Sequence, residues 1–187
     1  MRYDQTQGVT AADLINSLAK RSLVSIFVEY SGESLRTCKH VVNAIANRRQ
    51  QRPFETTLDL ADCMNRALSS GRHSAKTPCT GLFQALRIAV NSELDQLSQC
   101  LDTAFNCLNP GGRFVILTFH SLEDRMVKQK FAGYCQGCTC PPEFPVCVCG
   151  KKPRAKLINR KPIEADAEEL AQNSRSKSAK LRILEKL

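Results

Sequence analysis

Hydrophobic side chains recur at helical spacing through the first third of the chain, and they predict four short amphipathic helices within residues 10–70. Thr10 and Asp13 form a capping box that opens the first helix. Gly32 is expected to end the second helix, and Gly71 the fourth. Amphipathic helices of this kind pack a core, so we expect a small helical subdomain without chemistry of its own.

Residues 72–82 are small and polar and are predicted to be a linker. The pattern then becomes strongly one-sided, which predicts a single long helix over residues 83–108. Its apolar positions follow a spacing of four, three, four, three and four: Val90, Leu94, Leu97, Leu101, Ala104 and Leu108. This is the clearest helical pattern in the chain.

A Pro-Gly-Gly turn at 109–112 ends that helix, and residues 114–117 are apolar on both faces. Such a run predicts a buried parallel strand covered by helices on each side. Ser121, with Asp124 in the capping-box position, is expected to open the next helix. Helix, turn, strand and helix form one unit of a doubly wound α/β sheet.

Segments near 155–159 and 178–184 are candidate closing strands. In the final strand we expect Lys180 and Arg182 to share a basic face while Leu181 and Ile183 face the core.

Polar side chains follow the predicted buried strand directly. Open α/β sheets bind ligands beyond the carboxyl ends of their strands. His120, Ser121, Glu123, Asp124 and Arg125 all fall there, so this segment is a candidate site. Helix capping and an ordinary surface arginine remain the alternative interpretation.

The net charge of +9 is uneven along the chain. Residues 151–187 carry 11 basic and 5 acidic side chains, whereas residues 81–150 carry 5 and 6. Basic segments around a neutral centre indicate a polyanionic partner, with nucleic acid the commonest case and an anionic membrane surface the alternative. Charge that serves only solubility is the simpler interpretation.

No apolar run approaches the roughly 18 residues of a membrane span, and no leader is evident, so we expect a cytoplasmic protein.

Five of the ten cysteines lie within residues 135–150. Cys138, Cys140, Cys147 and Cys149 form C-x-C-x6-C-x-C, with Cys135 as an additional thiol. In a reducing compartment, clustered thiols are more often metal ligands or unpaired thiols than disulfides. Four thiolates satisfy tetrahedral zinc, but C-x-C matches structural zinc sites less well than C-x2-C does. We therefore favour a loop of reduced thiols, with zinc as the alternative.

Several separated segments of the chain match one family in type and order. They are TAAD at 10–13, PFETT at 53–57, FQALRI at 83–88, PGGR at 110–113, FHSLEDR at 119–125, RKPI at 160–163 and SAKLR at 178–182. With these segments the sequence resembles the ribosomal small-subunit RNA cytosine-N4 methyltransferases, the RsmH/MraW family. The resemblance spans nearly the whole chain.

The resemblance implies an α/β fold, a class I methyltransferase with a Rossmann-like sheet interrupted by an all-α helical insert. The insert and linker would occupy residues 1–80 and the sheet domain residues 81–187. The enzyme would transfer a methyl group from S-adenosylmethionine to the N4 amine of a cytidine in small-subunit rRNA, alone or in the ribosomal subunit. It would work in the cytoplasm, or in an organellar matrix in a eukaryote.

Residue roles are expected from this reaction and from the basic charge of the C-terminal segment. Orientation of the amine would do most of the catalysis, with His120 or Asp124 accepting or relaying its proton. The expected substrate-binding residues are Ser121, Glu123, Arg125, Arg160, Lys161, Arg175, Lys177, Lys180 and Arg182.

The chain also departs from the family. None of its nine glycines forms a G-x-G, so no loop for a nucleotide cofactor is evident. Residues 1–4 resemble an internal stretch that follows the cofactor motifs in the family. We therefore expect a C-terminal portion of such an enzyme, without residues for S-adenosylmethionine. The alternative is a noncatalytic basic RNA-binding module, with zinc as a further option.

Overall fold

A computed structural model describes the chain at residues 1–6, 8–69, 79–141, 146 and 148–187. The predictions that fall wholly or partly outside these residues are the linker at 72–82, the helix end at Gly71 and the thiol of Cys147. The linker prediction is wrong for residues 80–82, which are described and are helical. The described chain divides into two compact units, Met1–Glu93 and Leu94–Leu187.

The first unit is helical. The helices among its described residues are α1 (Ala11–Ser17), α2 (Lys20–Tyr30), α3 (Leu35–Arg49), α4 (Thr57–Ser69) and α5 (Thr80–Asn91). The predicted capping box is confirmed, because Thr10 accepts a hydrogen bond from the Asp13 backbone while the Asp13 side chain bonds back to Thr10. Gly32 follows the end of α2 with a positive φ of 79°, the conformation that glycine adopts at least cost.

The core of this unit lies between α2, α3, α4 and α5, where Phe27, Ile45 and Met64 are fully buried. Helix α5 lies so close to the end of α2 that a Cβ atom on Gly81 would stand 2.7 Å from the Ser31 carbonyl oxygen. This packing places α5 in the first compact unit, which ends at Glu93. The division into an insert at 1–80 and a sheet domain at 81–187 stays a prediction.

The predicted single helix over 83–108 is wrong. Helix α5 ends at Asn91, Ser92 adopts a left-handed conformation with φ of 49°, and α6 (Glu93–Cys107) follows. The Ser92 N–H bonds the Ile88 carbonyl and closes α5. Two helices form because their apolar faces serve different cores, that of the first unit for α5 and that of the second for α6.

The second unit is mixed α/β, which confirms the predicted class at this level. After α6 its elements are β1 (Arg113–Thr118), α7 (Ser121–Cys135), β2 (Ala155–Leu157), α8 (Ala167–Gln172), a 3₁₀ helix (Ser174–Ser178) and β3 (Lys180–Lys186). Both predicted closing strands are present. Helix α7 packs on all three strands, and the core contains Leu101, Phe105, Phe131 and Leu184.

The sheet has the order β1-β3-β2, and both of its strand pairs are antiparallel. The prediction of a parallel strand covered on both faces is therefore not met among the described residues. Val115 and Leu117 are 51% and 52% exposed, whereas Phe114 and Ile116, on the other face, pack against the core. The Rossmann-like arrangement and the inserted position of the helical part remain predictions.

No helix in the described residues is both long and apolar enough to cross a membrane.

Candidate functional site

The end of β1, the start of α7 and the start of β3 come together in the second unit. Thr118 is paired with Lys180, and its hydroxyl donates to the Lys180 carbonyl. Ile163 and Leu181 exchange two backbone hydrogen bonds of 2.9 Å. We call this region the strand-end surface and define it as residues 118–125, 160–163 and 175–182. It contains every candidate catalytic and substrate-binding residue from the sequence.

His120 opens helix α7, which corrects the prediction that Ser121 caps it with Asp124 as partner. The Glu123 backbone N–H donates to His120 Nδ1 at 3.4 Å, and Glu123 Oε2 accepts from the His120 and Phe119 backbone N–H groups at 3.3 and 2.9 Å. A ring nitrogen thus takes the part that a serine hydroxyl usually takes in a capping box. The box is shifted by one residue from the predicted position.

This cap restricts the chemistry of His120. Because Nδ1 accepts a hydrogen bond, the neutral ring carries its proton on Nε2. Nε2 lies 3.3 Å from Glu123 Oε1, and the side chain is only 11% exposed. Burial alone would raise the pKa of Glu123, but the contacts with the His120 side chain and the Phe119 N–H outweigh it and lower that pKa below its usual value. Both ring nitrogens of His120 thus lie near groups of Glu123 in the first turn of α7, and these contacts fix the position of the ring.

Asp124 and Arg182 form a buried ion pair. The guanidinium donates from Nε and Nη2 to the two carboxylate oxygens at 2.7 and 3.0 Å. The Arg182 hydrogen bonds hold the pKa of Asp124 below its usual value. Arg182 is 8% exposed and shares the core side of β3 with Leu184, so the expected basic face of this strand is not formed. Asp124 is a fixed anion that already has its cation.

The other predicted substrate-binding residues are more accessible. Lys180 is partly buried and lies 3.7 Å from Glu164. Exposed side chains without a salt bridge to any described residue are Arg125, Arg160, Lys161, Arg175 and Lys177. Ser121 is exposed as well. These groups are available to a ligand in solution.

Asn159 organises this surface and was not predicted. Its Oδ1 accepts from the Ile183 N–H at 2.7 Å, while its Nδ2 donates to the carbonyls of Leu181 and Lys161. The side chain thereby ties the turn that carries Arg160 and Lys161 to strand β3. The only signal for this role in the sequence is the position of the asparagine, beside a basic turn that contains proline. Asparagine side chains readily form hydrogen bonds with nearby backbone groups.

Three cysteines of the predicted cluster are brought together in the loop after α7. The Sγ atoms of Cys138, Cys140 and Cys149 all lie within 4.8 Å of one another. Hydrogen bonding from the Val148 backbone lowers the pKa of Cys140 below its usual value. Cys135 is not part of this group, and burial raises its pKa.

The described residues do not fit a glycine-loop site for S-adenosylmethionine. A Cβ atom would come within 3 Å of another atom at Gly81 and at Gly112. In both cases that atom belongs to the protein's own backbone, at Ser31 and at Asn109 respectively. These two glycines therefore serve packing and a turn, and not the close approach of a nucleotide.

Comparison with known proteins places the chain in a family. The family model described as the MraW methylase family matches residues 1–187. The chain belongs to that family. The resemblance expected from the motifs is thus confirmed.

Curated relatives carry the same assignment. The ribosomal RNA small subunit methyltransferase H of Geobacter sp. strain M21 is 48% identical over 188 residues, and that of Carboxydothermus hydrogenoformans is 46% identical over 187. A third, from Finegoldia magna, is 45% identical over 193 residues. Each alignment covers 100% of this chain and 60% of the relative. The chain thus spans about three fifths of the length of these relatives.

Proposed function

We propose that this chain is the rRNA-binding part of an S-adenosylmethionine-dependent methyltransferase that acts on the N4 amine of a cytidine in small-subunit rRNA. Membership of the MraW methylase family and relatives named ribosomal RNA small subunit methyltransferase H support the reaction class. The observation that carries the RNA-binding role is the group of exposed basic side chains around the strand-end surface. Its partner is small-subunit rRNA, alone or in the ribosomal subunit.

These basic residues suit a phosphate backbone. Arg160 and Lys161 are held on one turn by Asn159, and Arg175 and Lys177 lie on the 3₁₀ helix that leads into β3. The pairing of Ile163 with Leu181 brings the turn and the start of β3 together. Arginine offers a planar fork to phosphate and lysine a point charge. The surface therefore binds through charge, with sequence readout left to other contacts.

His120 and Asp124 act in this proposal as positioning residues. The first caps α7 and the second holds Arg182 on the core side of β3. The cytidine N4 lone pair is delocalised into the ring, so methyl transfer depends chiefly on how the amine is oriented. A rigid junction between β1 and α7 supplies orientation without proton transfer by either side chain.

The cofactor would be held by a part of the enzyme that this chain does not span. Two observations support this. The described glycines give no nucleotide loop, and the relatives are longer than the chain. The cysteine loop is not required for this function.

Binding of a decoding-region rRNA fragment across a salt series tests the RNA-binding role. The double variant Arg175→Gln/Lys177→Gln should bind more weakly, with a salt slope shallower by about one for each phosphate that is no longer neutralised. The matched control is Arg36→Gln/Lys39→Gln, which removes one arginine and one lysine that are exposed on α3. The control should keep the wild-type slope.

Two results would contradict this assignment. A wild-type slope in folded Arg175→Gln/Lys177→Gln would mean that these side chains only solvate the surface. An equal change in both double variants would mean that net charge alone attracts RNA.

The second candidate is a noncatalytic RNA-binding module, favoured by the lack of fit to the cofactor. Methyl transfer distinguishes the two. The assay supplies, as a separate polypeptide, the part of the Geobacter relative that this chain does not span. The enzyme hypothesis expects N4-methylcytidine in digested rRNA, and the module hypothesis expects none while RNA affinity is kept.

A further inference from the structure

The cysteine cluster lies in a long loop between α7 and β2. The Arg154 N–H donates to the Tyr134 carbonyl at 2.9 Å and joins the two ends of this loop. Near these two ends, which form the base of the loop, Gly137 packs closely against the Pro153 ring. A Cβ atom on Gly137 would stand 3.1 Å from that ring. The base is therefore closed, and the tip carries Cys138, Cys140 and Cys149.

The apolar side chains described at the tip are not buried. Val146 and Val148 are 70% and 74% exposed, so the apolar side chains described there point to solvent. Long connections such as this one are uncommon in compact domains unless something else orders them. In small apolar-poor segments, bound metal commonly takes the place of a core.

The sulfur positions have the dimensions of a metal site. Zn–S bonds of about 2.3 Å in a tetrahedron place two sulfurs about 3.8 Å apart. The Sγ atoms of Cys138 and Cys149 are 3.7 Å apart. A disulfide would need about 2.05 Å, so the observed spacing suits two ligands of one ion better than a covalent bond.

Backbone groups also favour thiolates at this position. The Thr139 N–H approaches Cys149 Sγ at 3.4 Å, and the Cys140 N–H approaches Cys138 Sγ at 3.4 Å. Amide donors stabilise the negative charge that sulfur carries as a metal ligand. Both donors belong to the Cys138–Cys140 turn, and they reach one sulfur of that turn, Cys138, and one from the other end of the loop, Cys149.

We propose that Cys138, Cys140 and Cys149 bind one zinc ion that orders the loop between α7 and β2. Zinc accepts three or four thiolates in tetrahedral geometry. The sequence offers Cys147 as a fourth thiol, which lies outside the described residues. The ion is structural, since the apolar side chains described at the tip, Val146 and Val148, are exposed, and since it lies on a segment that the proposed RNA-binding role does not use.

Metal content of the full chain, purified with reductant and without chelator, tests this site. Elemental analysis should give about one zinc per chain for the wild type. Cys138→Ser and Cys149→Ser should lose most of this zinc. The matched controls are Cys100→Ser and Cys107→Ser, which change exposed thiols on α6 outside the cluster, and they should keep it.

Cobalt provides a readout that does not depend on the variants. Metal-free wild-type chain titrated with Co²⁺ should develop the thiolate-to-cobalt charge-transfer band and the visible bands of tetrahedral coordination, and zinc should abolish them. No zinc together with no such bands would overturn the proposal. Iron with acid-labile sulfide in place of zinc, or equal metal loss in the α6 controls, would overturn it as well.

Discussion

Replacing Arg182 by methionine should destabilise the second unit strongly. The substitution keeps much of the side-chain length but removes both hydrogen bonds to Asp124. The carboxylate would stay buried without a cation. Because an unpaired buried charge is among the costliest defects in a protein, we expect a large effect from this single change.

The magnitude follows from the burial of the pair. The side chains of Arg182 and Asp124 are 10% and 12% exposed, so solvent screens their interaction little. Removing one partner of a buried pair costs about 3–5 kcal/mol. The matched control is Lys180→Met on the same strand. Lys180 and Glu164 are 38% and 62% exposed, and such a surface pair contributes about 0–1 kcal/mol.

Acid should affect the wild type and Arg182→Met in opposite directions. In the wild type the folded-state pKa of Asp124 is lowered. The pair therefore stabilises the fold above the unfolded pKa of about 3.9, and this contribution is lost as the pH falls toward the folded pKa. In Arg182→Met the unpaired carboxylate has a raised pKa, so protonation relieves the defect. Lys180 and Lys128 also favour the charged form, but their influence is smaller than that of Arg182.

Urea unfolding followed by far-UV circular dichroism at pH 7 and at pH 4 measures both effects. The difference between wild type and Arg182→Met should be about 3–5 kcal/mol at neutral pH and should shrink in acid. The double variant Asp124→Leu/Arg182→Met should recover much of the stability, because it removes both charges. If Arg182→Met cost no more than Lys180→Met, the pair would not be desolvated and Arg182 would again be a candidate RNA contact.

Two further substitutions test structural roles in the second unit. His120→Ala should cost about 1 kcal/mol through removal of the α7 cap, whereas His120→Asn should cost only a few tenths, because asparagine is a good N-cap; equal losses in denaturant unfolding would show that the ring has another role. The Lys186 ammonium donates to the carbonyls of Phe105, Asn106 and Leu108 at the end of α6. Lys186→Met should therefore cost about 2 kcal/mol and speed amide exchange in the second unit, and unchanged exchange would argue against this cap.

Local signals in the sequence were sufficient for the first helices of the helical unit. The Thr10 capping box and Gly32 act within a few residues, so the first helices could be located from the chain alone. The apolar spacing across 83–108 was misleading, because it continues through Ser92 without revealing the left-handed turn there. Periodicity reports which face is apolar, but not which core receives it.

The residues of the candidate site could be singled out from the sequence, but their contacts depend on partners distant in the chain. Asp124 and Arg182 are 58 residues apart, and nothing local predicts that they pair. One clue was present, since alternation along β3 places Arg182 on the same face as the fully buried Leu184. The His120 cap was obscured by Ser121, a commoner capping residue next to it.

Strand β1 has a consequence for handling the protein. It lies at one edge of the described sheet, and its outward face presents Val115 and Leu117, followed by Phe119, which is 56% exposed. An apolar edge strand whose outer backbone groups meet no other strand of the described sheet is a template for pairing with another chain. We therefore expect concentrated solutions of the chain to be prone to edge-to-edge aggregation, and dilute protein is the appropriate condition for the stability and metal assays.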